Sequence, residues 1–271
     1  VVKIASLHIF PIKGLRGISV ARARITKRGL EHDRRYMLTT PDGRFISQRS
    51  HPALARLAVR MNVVSDLVTA SCSITDPEGR TLHLPLIQEG GLSVKVDIWG
   101  DAVSALAGFV EANQFFSAYL GEEVQLVWMP PMADRPIDPD FSKPTDQVSF
   151  ADGYPILVLG SASIEELNQR LTEPIPLNRF RANIIVSGAR PWQEDEWTSL
   201  RASSVHLRLV KKCARCVVIT IDQETGISGR EPTATLATYR REGNNVMVGM
   251  NAIPEGREGE IMVGDKIMPA S

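Results

Sequence analysis

Short β-forming runs separated by tight-turn residues recur through the first hundred residues, and this rhythm most limits what the chain can become. RRYMLTT (34–40) and RFISQ (44–48) flank PDG (41–43). LVTASCSIT (67–75) and TLHLPL (81–86) flank DPEGR (76–80), and VKVDIW (94–99) leads directly into GDAVSAL (100–106). Aspartate and glycine between alternating apolar runs predict hairpins, because those residues accept the backbone angles that a two-stranded reversal needs. The period changes only at FVEANQFFSAYLG (109–121), where apolar positions recur at three and four and Gly121 supplies a C-terminal stop. EVQLVWM (123–129) returns to strand.

A stretch rich in proline, aspartate and serine (130–149) is the best boundary candidate, or else a long functional loop. Beyond it lie an apolar strand, PILVLG (155–160), and a helix, SASIEELNQRL (161–171), with Ser163 and Glu166 at capping-box spacing. RANIIVSG (181–188), SVHLRLV (204–210), VVITID (217–222), NNVMVGM (244–250) and GEIMVGDKIM (259–268) predict further strands. EPTATLATYR (231–240), with Pro232 near its first turn, predicts a short helix. The expected fold is mainly β with a few helices (α+β) and barrel-like.

Charge excludes some classes of partner. Lys+Arg 31 balances Asp+Glu 31, so no overall field attracts a nucleic-acid duplex or an anionic membrane, and any anion must be held by a local cluster of cations. No run approaches the ~20 apolar residues of a membrane span, and a cytoplasmic setting is the expectation. Three cysteines, Cys72, Cys213 and Cys216, are too few for a disulfide scaffold.

Cys213 and Cys216 form a CxxC inside KKCARC (211–216), and four chemistries compete for it. A structural zinc site needs two such pairs or added histidines, and Cys72 and His206 lack ligand spacing. A dithiol redox pair belongs at a helix N-terminus, whereas the β-branched VVITID that follows reads as strand. Two buried, inert cysteines are the plainest explanation. The fourth is one soft thiolate ligand to a cofactor metal, its charged form favoured by Lys211, Lys212 and Arg215. Residue chemistry leaves the last two open.

A second group is scattered. PIKGLRG (11–17) joins Lys13 to Gly14, where backbone can approach a ligand closely. Arg34 stands before a strand, Arg49 at the end of one, and Arg181 and Asn183 at strand entry. FADGYP (150–155) adds Asp152 before a buried strand, as a turn residue or as an acid in a pocket. Each alone is an ordinary surface or turn residue. Together, if the fold brings these loops to one place, they make an anion pocket, since the arginine fork suits phosphate and carboxylate oxygens.

In order along the chain, PIKGLRG, DRRYM, ISQR, SFADGYP, RFRANIIVSGA, KKCARC with VVITID, and a closing VGD resemble the MOSC-domain family, specifically the bacterial YcbX proteins and the mitochondrial amidoxime-reducing components. The resemblance spans about residues 7–268. It implies a smaller N-terminal β domain (1–125) joined to a MOSC β-barrel (126–271), with a molybdenum cofactor, a metal dithiolene on a phosphate-bearing pterin, in the cleft between them.

Carried over by position, the resemblance makes Cys216 the metal ligand. It makes Lys13, Gly14, Arg34, Arg181, Asn183, Arg215 and the Gly153–Tyr154 backbone cofactor-holding positions, and Asp152 an acidic residue near the metal that could donate a proton. It implies reduction of small N-hydroxylated compounds. The electrons would come from a separate donor protein of flavin, iron–sulfur or haem type, because three cysteines cannot supply a Cys₄ cluster set. A cofactor or sulfur carrier without turnover is the alternative. Where many relatives have PVKS this chain has PIKG, so only backbone can serve at Gly14.

Overall fold

The computed structural model describes residues 1–62 and 71–271. The chain is mainly β, as expected. Its largest sheet runs, in spatial order, Ile267–Ala270, Ser199–Ala202, Val205–Arg215, Asn245–Glu255, Ile156–Gly160, Ile184–Ser187, Lys3–Ile9 and Ile18–Val20, with Arg241–Glu242 paired onto Asn245–Glu255. Ile156–Gly160 and Ile184–Ser187 are parallel, and the helix Ser161–Arg170 provides the crossover that a parallel pair requires.

PILVLG is continuously apolar because both faces of this sheet are covered. Ile156 and Val158 pack on one side with Ile4, Leu7, Val186 and Leu207, while Leu157 and Leu159 pack on the other with Ile164, Leu167, Phe180 and Ile185.

A second sheet orders Tyr36–Thr39, Gln125–Trp128, Asp101–Ala107 and Leu92–Ile98, and a third pairs Ala58–Asn62, Ser71–Thr75 and Thr81–Pro85. These bury Ile12, Tyr36, Leu54, Cys72, Phe116 and Leu126 against the helix Val110–Leu120, which ends at Gly121 as anticipated. The chain's two ends are laced together: Arg22–Thr26 pairs with Gly259–Met262, and Lys3–Ile9 lies inside the large sheet beside Ile184–Ser187.

The hairpins at DPEGR and at Trp99–Gly100 form as expected, although residues 67–70 of the first lie outside the described residues. The PDG reversal forms only in part: Phe45 makes a single bridge to Thr39 and RFISQ builds no regular strand. GEIMVGDKIM is two strands in different sheets, Gly259–Met262 and Ile267–Ala270.

Two expectations fail. VVITID is a 3₁₀ turn, Val217–Thr220, with Ile219 N–H donating to the Cys216 carbonyl at 3.3 Å. Burial of Ile219 among Leu236 and Val248 outweighs its β propensity. Ser163 and Glu166 form no capping box, because the helix begins at Ser161 behind Gly160. The Ser163 hydroxyl instead donates to the buried Glu194 carboxylate at 2.7 Å.

Candidate functional site

Val205–Arg215 and Asn245–Glu255 slip register between Leu209 and Lys211 and again between Lys212 and Ala214. Such bulges bend a strand and re-aim its side chains. Gly249 makes the slip possible: its φ is +79°, and a Cβ there would stand 2.8 Å from the Val158 carbonyl oxygen. The result presents Lys211 through Cys216 to a cleft of about 340 Å³.

Lys13, Gly14, Arg34, Asp152, Gly153, Tyr154, Arg181, Asn183, Arg215 and Cys216 all line this cleft, so the scattered group converges. Among the described residues seven cations line it (Lys13, Arg34, Arg49, Arg181, Lys211, Lys212, Arg215) against one carboxylate, Asp152, while Asp33 and Glu242 pair with Arg34 and Lys212 from outside the lining.

Arg34 and Arg181 are both held in left-handed backbone, at φ +49° and +54°. Both guanidiniums lie 4.4 Å from the Phe10 ring centroid, a platform that sequence reasoning missed because nothing local marks it. Arg34 donates to Asp33 at 2.5 Å and to the Arg181 carbonyl at 3.2 Å, and Arg181 donates to the Leu15 carbonyl at 2.7 Å. Burial, then the Arg34 charge beside it, pushes Arg181 down to about 9.

Asn183 is engaged at both ends of its amide. The oxygen accepts from Leu157 N–H at 3.1 Å and from Arg34 at 3.3 Å, and the nitrogen donates to the His8 carbonyl at 3.2 Å. Its side chain therefore orients Arg34 rather than reaching into the cleft. Arg215 donates to the Phe180 carbonyl at 2.6 Å and to Cys213 Sγ at 3.1 Å, and its Nε is buried without a partner. Gly14, at φ +90°, is fixed by Gln48 donating to its carbonyl at 2.6 Å. Burial, with Asp138 and Asp140 nearby, raises the Tyr154 hydroxyl to about 12, and the hydroxyl has no partner.

Cys216 ends the extended strand, at φ −109° and ψ −178°. Cys213 and Cys216 are both free thiols, with no disulfide between them. Cys72 is deep in the N-terminal core, its thiol pushed up to about 12 by burial. Among the described residues no group of three or more His, Cys, Asp or Glu could hold a metal ion. The zinc reading has no ligand set there.

The Asp152 side chain is 61% exposed. Partial burial raises its carboxyl pKa, but the paired Lys13 ammonium outweighs that, and with Arg49 (3.6 Å away) and Arg34 holds the carboxyl well below the usual range. A depressed carboxyl contributes stability above its unfolded value of about 3.9 and loses it only as pH falls through the lower folded value. An acid that is already ionised has no proton to give, so the proton-donor expectation for Asp152 conflicts with its surroundings. We expect its carboxyl ¹³C resonance to stay flat from about pH 4 to 8 and to titrate in the ordinary range in Lys13→Met. A wild-type titration near pH 6 would restore the donor role.

Residues 1–123 match the MOSC N-terminal beta barrel domain and residues 145–268 match the MOSC domain. Mitochondrial amidoxime-reducing component 1 of Mus musculus is 32% identical, over 88% of this chain and 71% of that protein. The Homo sapiens protein of the same name is 30% identical, over 97% and 82%. A molybdenum cofactor sulfurase of Oryza sativa subsp. japonica is 28% identical across 100% of this chain but only 36% of its own length. Among the described residues no helix is long and apolar enough to cross a membrane.

Proposed function

The chain belongs to the MOSC family, and on that premise we propose that its cleft holds a molybdenum cofactor with Cys216 as the protein's thiolate ligand and reduces small N-hydroxylated compounds. The observation that carries this reading is the excess of positive charge lining the cleft beside Cys216, with Arg181 and Arg215 in no ion pair among the described residues. Such a surplus is costly unless an anion sits against it, and the unpartnered Arg215 Nε marks a donor still without an acceptor. A phosphate-bearing group with its own sulfur ligands fits these residues, because Cys213 and Cys216 are the only sulfurs lining the cleft and no group of three or more His, Cys, Asp or Glu could hold a metal among the described residues.

In this reading Arg181, Arg34 and Arg215 hold the anionic end, and Phe10 and Asn183 keep the first two in place. Lys13, tied to Asp152, supplies positive charge on the other wall, while Gly14 and the Gly153–Tyr154 backbone approach closely for want of bulk. When bound, the group would supply the two-electron chemistry that, with two protons, converts N–OH to N–H and water. The electrons would come from a separate donor protein.

Purification from a cofactor-competent host, followed by metal analysis and assay with a reduced viologen dye and a panel of amidoximes and hydroxylamines, tests the proposal. Near-stoichiometric molybdenum with turnover supports it. Molybdenum retained without turnover favours a cofactor or sulfur carrier, the reading suggested by the similarity to the rice sulfurase. Arg181→Ala removes a charged hydrogen bond and should weaken cofactor retention by about 1.5–3 kcal/mol. Unchanged molybdenum content in that variant would remove Arg181 from the cradle.

A further inference from the structure

The segment 31–36 serves two hollows. Arg34 enters the cleft, whereas its neighbour Arg35 lines a separate hollow of about 270 Å³ that shares no lining residue with the cleft. Whatever occupies the cleft, this second hollow stands on its own.

Arg28, only 5% exposed, lines it beside Arg35. Arg28 donates through Nη2 to the carbonyls of Pro131 (3.1 Å) and Ala133, and Arg35 donates through Nη2 to the Met129 carbonyl. Carbonyls satisfy hydrogen bonds without an opposite charge, and Asp134 and Glu31 act on Arg28 and Arg35 without an ion-pair contact. The three carboxylates lining the hollow are committed elsewhere: Glu31 and Glu258 turn onto Arg24, at 3.7 and 2.6 Å, and Asp33 onto Arg34 at 2.5 Å. Neither Arg28 nor Arg35 has a carboxylate in ion-pair contact among the described residues. The Nε of each and Trp128 Nε1 are buried without a partner among the described residues, so three hydrogen-bond donors, two of them on cations, lack acceptors. Burial, then repulsion from Arg28, brings Arg35 down to about 10.

The rest of the lining mixes polar Thr26, Lys27 and His32 with an apolar side that includes Leu86, Trp128 and Ile87, the last 56% exposed at the rim. We propose that this hollow is an anion site for a phosphate monoester, its two charges facing Arg28 and Arg35 and its organic group lying on Trp128, Leu86 and Ile87. A dianion matches two guanidiniums where a single carboxylate leaves one unmet, and a phosphate monoester carries close to two charges near neutral pH. Occupancy would bear on the segment whose next residue, Arg34, reaches into the cleft.

Phenyl phosphate combines the dianion with a flat apolar group and is the probe. Titrated into the purified full chain and followed at the Trp128 indole N–H resonance (assigned with Trp128→Phe), it should give a saturable shift with Kd on the order of 0.1–1 mM. Arg35→Gln should weaken binding at least about tenfold, and so should Ile87→Asp, a rim change that repels the anion without touching the core. Arg181→Ala should leave it unchanged, and benzoate should bind at least about fivefold more weakly. No movement of Trp128 at about 10 mM probe would overturn the site. So would a shift abolished by Arg181→Ala but kept in Arg35→Gln, which would put the probe in the cleft. Equal binding of benzoate would overturn the dianion assignment.

Discussion

Cys216→Ser is expected to lower both molybdenum content and N–O reduction by at least about 100-fold, more than loss of an outer-shell partner to a metal ligand costs. A serine hydroxyl stays protonated near neutral pH and is a hard ligand, so it replaces neither the charge nor the softness of a thiolate. Cys213→Ser should be far milder. Cys213 Sγ accepts from Arg215 at 3.1 Å, and a serine oxygen keeps an acceptor there while Arg215 retains its 2.6 Å bond to the Phe180 carbonyl. The measurement is metal content and turnover for both variants, with the metal's electronic spectrum as a third reading. Equal damage from the two changes would end the single-ligand assignment.

Arg135→Met should destabilise the protein by about 1–3 kcal/mol for each buried carbonyl it leaves without a donor. Arg135 is 2% exposed. It donates to the carbonyls of Ser149 (2.9 Å), Ala151 (2.5 Å) and Asp152 (3.1 Å), and to the Asp101 carboxylate at 2.9 Å. Methionine fills much of the volume but leaves the buried Ser149 and Ala151 carbonyls without that donor. These carbonyls belong to the backbone that carries Asp152 into the cleft wall, so cofactor retention should fall together with stability. Urea unfolding at constant slope reads the loss, and Arg135→Lys, which keeps charge but not the fork, should be intermediate. A midpoint within error of wild type would mean that this staple is dispensable.

The hairpins were legible because their turns are chemically explicit: Asp76 and Gly79, or Gly100, announce a reversal whatever surrounds them. VVITID was misread because β-branched residues express a preference that the burial of Ile219 overrides. Arg135 was invisible for a different reason. It sits in the Pro/Asp-rich stretch that looks like a linker, and its worth comes from carbonyls 14 to 17 residues away. The cleft was half legible. Lys13, Arg34, Arg181 and Arg215 could each be suspected, but their meeting depends on Lys3–Ile9 lying beside Ile184–Ser187, a neighbourhood no local pattern encodes. Phe10 left no trace in the sequence at all, and the preference for Cys216 over Cys213 came from resemblance.

The lacing of the two ends sets a timetable for making this protein. Lys3–Ile9 leaves a ribosome some 180 residues ahead of its partner Ile184–Ser187, and Arg22–Thr26 precedes Gly259–Met262 by still more. At about 5–20 residues per second this strand waits on the order of ten seconds or more with Ile4, Leu7 and Ile9 uncovered. Pairings this distant in sequence close slowly because loop entropy must be overcome before any contact rewards it. Newly made chains are thus at their most aggregation-prone before Ile184–Ser187 and Gly259–Met262 emerge, and a chaperone that shelters residues 3–26 would act where this architecture is most exposed.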